Sequence, residues 1–278
     1  MRYKLAAILF LINSLAANLI TQDEAQKIIK NFLDFHVDQK VISEPLYQKL
    51  KKNFIHLFDP DKSYLLEGEL STFIELESDI IKKNIETLEK GKFDGWQKEF
   101  YAFKHTIQRA RSLRHEVYRQ LLLELQFERS SLSQNQLIYA RDLQELKDRW
   151  FKKIARYLQQ ELKFVGLKTA TLQQKKIVFE LFEKKMAHME EKFLSKDRAS
   201  VFYEHFLKSF AKSLDAHSAF FTKAEGQELK KSLEKQFEGV GVSLRESLIG
   251  IVVTDLILNA PAFNAGVKKG DVLLVLNG

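Results

Sequence analysis

The side chains best able to move protons or hold a metal near neutral pH are seven histidines: His36, His56, His105, His115, His188, His205 and His217. They are scattered. No two stand four residues apart, and no HExxH is present. Asp215, His217 and Ser218 put an acid, a base and a hydroxyl within four positions. A hydrolytic triad draws its members from separate elements that converge in space. This run therefore reads as a turn, with Asp215 accepting backbone N–H groups. Cysteine is absent, which excludes thiol catalysis, disulfides and cysteine-ligated zinc. There is no Walker A sequence, and Gly239-Val240-Gly241-Val242-Ser243-Leu244 lacks the third glycine of a dinucleotide fingerprint. No catalytic residue, metal site or cofactor is expected in this chain.

The glycines divide the chain into two characters. Five of the 11 lie in residues 1–238 and six crowd into the last 40. Glycine weakens helix interiors and frees the backbone for tight turns. Residues 18–236 are thus expected to be helical and 237–278 a compact strand-and-turn unit. Leu143, Leu146, Trp150, Ile154, Tyr157 and the pair Glu161-Leu162 recur at helical steps and put their apolar members on one face. Helices are expected near 21–35, 43–57, 69–89, 96–128, 134–163, 172–193 and 197–213. Tyr47, Phe54, Phe58, Asp59 and Tyr64 are echoed 156 residues later by Tyr203, Phe210, Leu214, Asp215 and Phe220. Each copy reads as a helix ending in Asp, a short turn, an aromatic plug and a new helix.

From Gly239 the apolar residues Val240, Val242 and Leu244 alternate, as in a strand. Arg245 to Leu248 reads as a turn, and Ile249 to Leu256 as a second strand. Pro261 to Gly266 is a short helix opened by proline and closed by glycine. Val272 to Leu276 is a third strand, and Asn277-Gly278 is a hairpin turn.

Apolar residues make up 45% of the chain, including 22 Phe, which is ample for a folded core. The formal net charge is +7, but the signs alternate in runs such as ELEKGKFD and KKMAHMEEKF. No basic stripe tracks a phosphate backbone, so nucleic acid is not an expected partner. At the start, Arg2 and Lys4 precede an apolar stretch from Leu5 to Ile12, and Ser14-Leu15-Ala16 offers small residues for cleavage. Residues 1–17 read as a signal peptide. Asn13, Ser14 and Asn18 interrupt the roughly 20 apolar residues a span needs. The other reading of this segment is a retained N-terminal helix. Export with cleavage places the mature chain in the periplasm without a stable membrane span.

The segments EGVGVSL, GIVVTDL and NAPAFNAGVKKGDVLLVLNG resemble the first two-thirds of a PDZ domain. FLKSFAKSLDAHSAFFTKAEGQELKKSLEKQFEGVGV and FIHLFDPDKSYLLEGEL resemble stretches of the tail-specific, or C-terminal processing, family of periplasmic serine proteases. Ala216 and Asn264 depart from that pattern, neither at a catalytic position. The resemblance implies a mainly α fold: a helical N-terminal domain followed by an incomplete PDZ-like α+β module that stops before its second helix. It implies that Gly239, Val240, Gly241 and Val242 form a loop for a peptide's terminal carboxylate, and that Ser243 and Leu244 begin the strand pairing with the peptide. The partners implied are C-terminal tails of exported proteins. A Ser/Lys dyad is expected beyond residue 278, so these 278 residues are expected to be inactive and to hold peptide tails weakly by themselves. The alternative is a non-enzymatic periplasmic adaptor of PDZ type.

Overall fold

The computed structural model describes residues 19–123, 138–195, 198–234 and 239–274. The signal segment 1–17 lies outside the described residues. In chain order the elements are α1 (Gln22–Phe35), α2 (Glu44–Phe58), α3 (Glu67–Ile74), α4 (Ser78–Glu89), α5 (Asp94–Leu123), α6 (Leu143–Phe164), α7 (Leu172–Leu194), α8 (Arg198–Leu214) and α9 (Lys223–Leu233). Then follow β1 (Val242–Ser247), β2 (Gly250–Leu256), α10 (Pro261–Asn264) and β3 (Val272–Leu273). The chain is predominantly α-helical and carries one small open sheet, as expected.

Local chemistry sets the helix starts. Thr21 and Glu24 form a reciprocal capping box at α1, and Ser43 caps α2 with Pro45 in its first turn. Thr171 with Gln174 does the same at α7, and Thr222 with Glu225 at α9.

Two compact units form. The described part of the first is 19–112, 138–146, 190–195 and 198–228. Its centre is Phe54 of α2, fully buried and ringed by Phe73, Trp96, Phe100, Phe103, Phe202 and Phe206. Trp96, Phe100 and Phe103 recur at helical steps on α5, so one face of that helix supplies three of the rings. The echoed segments meet here, because α2 and α8 pack against each other. Asp59 is fully buried and accepts from the amides of Ser63, Tyr64 and Leu65 at 2.7, 3.0 and 3.0 Å. Asp215 accepts from the amides of His217 and Ser218 at 2.7 and 2.6 Å. Tyr64 and Phe220 are both buried behind these turns. The echo is therefore a packing unit used twice.

The described part of the second unit is 113–123, 147–189, 229–234 and 239–274. Arg114 is fully buried on α5, donates to Glu183 and lies 4.9 Å from the centre of the Trp150 ring. Tyr118 stacks on Phe179 at 4.1 Å. Leu158, Leu162 and Val178 form an apolar cluster that receives Leu248 from the sheet.

Several boundaries differ from expectation, each for a local reason. The helix expected at 69–89 is two, α3 and α4, separated at 75–77. In a continuous helix the Phe73 carbonyl would accept from the amide of Glu77; here it accepts from the Lys51 ammonium at 2.6 Å. Glu75 and Glu77 also sit badly at a helix C-terminus, while Asp79 suits the start of the next one. The helix expected from 134 starts at Leu143, because Asp142 caps it and Ala140 bridges Leu66 in parallel. Helix α9 is missing from the expected set, although the echo implies a helix there. Residues 124–128, 134–137 and 275–278 lie outside the described residues.

Candidate functional site

Among the described residues the sheet has the order β1-β2-β3, with β1 at its edge. β1 and β2 pair antiparallel from Val242↔Leu256 to Ser247↔Gly250, with a bulge between Ser243 and Leu244. Arg245 to Ser247 therefore belongs to the strand, and only Leu248-Ile249 turns, which corrects the longer turn expected from the charged Arg245-Glu246 pair. A two-residue turn is the tightest hairpin connection, and Gly250, at φ +114°, starts the returning strand.

The loop Gly239-Val240-Gly241-Val242 enters this edge strand. Its carbonyls are fixed from behind. Val240 O accepts from the Ala262 amide at 3.0 Å, and Gly241 O accepts from Ile257 at 2.9 Å. Gly241 has φ +77°, and a Cβ there would collide with that of Ala260. Only glycine fits both demands. Gly241→Ala is expected to destabilise the sheet by about 2–4 kcal/mol, from left-handed strain plus overpacking. Amide exchange of β1 and β2 would measure it, and unchanged protection would contradict the close approach. Val240 and Leu244 are exposed, Ser243 is exposed, and Val242 is half-buried. An exposed edge strand beside a glycine loop can accept another extended chain.

The strand is anchored by helices of its own unit. Arg245 pairs with Glu161 of α6, whose side chain is fully buried, and its guanidinium lies 4.4 Å from the Phe164 ring centre. Glu246 pairs with Lys184 of α7 at 2.7 Å. Burial pushes the nearby Tyr157 phenol up, with Arg245 opposing and Glu246 adding to it. The sequence held one signal of this latch: Glu161 lies on the apolar stripe of its helix, and a buried carboxylate demands a partner.

His36 and His205 play structural parts. The Nδ1 of His36 accepts from the amides of Asp38 and Gln39, so its Nε2–H donates to Asp215 at 2.9 Å. Partial burial opposes ionisation of Asp215, but the amides of His217 and Ser218, the Ser218 hydroxyl and His36 hold its carboxyl down at about 2. Asp215 is thus a turn-former, as the spacing suggested. Among the described residues, no three His, Asp or Glu side chains form a group that could hold a metal.

Residues 28–224 match the family described as the tail-specific protease N-terminal domain, which spans most of the chain from α1 into α9. The chain belongs to that family. No curated protein matches it. The matched tail-specific protease domain includes both echoed helix–Asp–turn units, while the sheet follows it in sequence. Among the described residues no helix is long and apolar enough to cross a membrane.

Proposed function

We propose that this chain is the substrate-recruiting and scaffolding portion of an exported serine endopeptidase acting on proteins with apolar C-terminal tails. The reading assigns 18–236 to the helical domain and 237–278 to the start of a PDZ domain. It places the enzyme in the periplasm behind a cleaved signal, and its Ser/Lys dyad beyond residue 278. One observation supports it above the rest: a tail-specific protease N-terminal domain is followed by a glycine loop leading into an exposed edge strand.

The chemistry follows from that edge. A tail's main chain would add to β1 beside Ser243 and Leu244, exchanging hydrogen bonds as a fourth strand. Its terminal carboxylate would meet backbone N–H groups of the loop Gly239 to Val242. Charged hydrogen bonds contribute more than neutral ones, so the carboxylate rather than the tail's sequence carries most of the discrimination. A fluorescent peptide ending in apolar residues is expected to bind about tenfold or more tightly as the free acid than as the C-terminal amide. Fluorescence anisotropy reads the difference. Equal affinities would overturn the assignment of the loop.

A further inference from the structure

A cleft in the first unit has no part in the peptide reading. It holds about 270 Å³, just below the usual range of ligand sites, and Lys51 of α2 lines it. Lys51 is only 5% exposed. Its ammonium donates to the Phe73 carbonyl, one of the last four of α3, which have no intrahelical donor. Its Nζ lies 3.9 Å from the centre of the Phe73 ring and 5.5 Å from those of Tyr47 and Trp96. Among the described residues no carboxylate comes within 4.0 Å of it.

An ammonium has three donors, and a buried charge with unmet donors is costly. Here one donor is met by the Phe73 carbonyl, and Lys51 lines the cleft. The other charges lining the cleft are Glu99, Lys92 and Lys98, so its balance is positive. Burial holds the Lys51 amine down at about 8, with Glu99 opposing. Burial pushes the Glu99 carboxyl up, with Lys51 and Lys98 pulling it back. A cationic guest would meet three lysines and rings already facing an ammonium. An anion would complete the lysine.

We propose that this cleft binds a small carboxylate with an aromatic or branched apolar body, the carboxylate paired with Lys51 and the body against Trp96 and Phe73. The Asn84 amide, also in the lining, already bonds the Tyr47 hydroxyl, and its second N–H is the neutral donor for the other carboxylate oxygen. This site is independent of the peptide edge and stands or falls without it.

Trp96 reports on the site directly, because the chain has only one other tryptophan, Trp150. Benzoate titrated into the full 278-residue chain is expected to change tryptophan emission saturably. Benzyl alcohol and benzylamine should bind about tenfold or more weakly. The affinity for benzoate should fall as the pH rises above about 8, where the free Lys51 loses its proton. Lys51→Met, which keeps the stem's volume, should abolish the response while the urea melt of the chain stays cooperative. Equal binding of benzoate and benzyl alcohol, preference for benzylamine, or a flat affinity between pH 7 and 10 would each overturn the proposal. The pH profile needs no variant, so the test survives if Lys51→Met fails to fold.

Discussion

Replacing Phe54 by Ala is expected to cost the protein about 3–5 kcal/mol. Phe54 is fully buried and meets rings from α3, α5 and α8 as well as the His205 imidazole at 4.6 Å. Rings of three other helices converge on one side chain, so no single neighbour can collapse into the space left behind. The cavity penalty then adds to the lost transfer energy of the ring. Phe54→Leu keeps much of the volume and should cost less, about 1–2 kcal/mol. Urea denaturation followed by far-UV circular dichroism measures both. A loss below about 1 kcal/mol for Phe54→Ala would mean that the aromatic centre repacks freely.

Acid is expected to unfold the protein through His205. This side chain lies among Phe54, Phe100, Phe103 and Phe193, with its Nε2–H donating to the Phe54 carbonyl at 2.8 Å. Burial drives its pKa down to about 3; the bond to Phe54 opposes this, and Lys192 and Lys208 add to it. The unfolded chain titrates near 6.5. The folded state binds fewer protons between these values, so stability is full above pH 6.5 and drains away as the pH falls toward 3. The slope is about 1.4 kcal/mol per pH unit, reaching roughly 4–5 kcal/mol in all. Asp215 adds a separate loss at lower pH, between about 4 and 2, because its folded carboxyl is the stronger acid. His205→Gln retains an N–H donor but does not titrate. The difference between wild type and His205→Gln, measured by urea melts from pH 7 to 4, isolates the effect. A wild type whose stability is flat over that range would show that the imidazole is already charged or hydrated.

Much of this fold was legible because its signals are local. Pro45, Ser43 and the Thr21–Glu24 pair mark helix starts wherever they occur. The glycines from Gly239 onward mark the sheet for the same reason. The Asp59 and Asp215 turns were readable from their repetition at a fixed offset. What sequence could not supply was tertiary substitution of a local bond. The break between α3 and α4 depends on Lys51, 22 residues upstream of Phe73, taking that residue's carbonyl. Arg245 and Glu246 look like turn residues until Glu161 and Lys184 are seen to hold them. The expectation that the loop Gly239 to Val242 and the start of β1 form a site was legible from the resemblance alone. The latch behind them was not, because its partners lie more than 60 residues away in α6 and α7.

Tail recognition at Gly239 to Leu244 is tested most directly by amide hydrogen exchange, with and without a saturating peptide that ends in apolar residues. The expected result is added protection of the amides of Val240 to Leu244. That protection should vanish when the peptide carries a C-terminal amide. Protection confined to the helical units, or protection of the loop that does not depend on the carboxylate, would contradict the assignment.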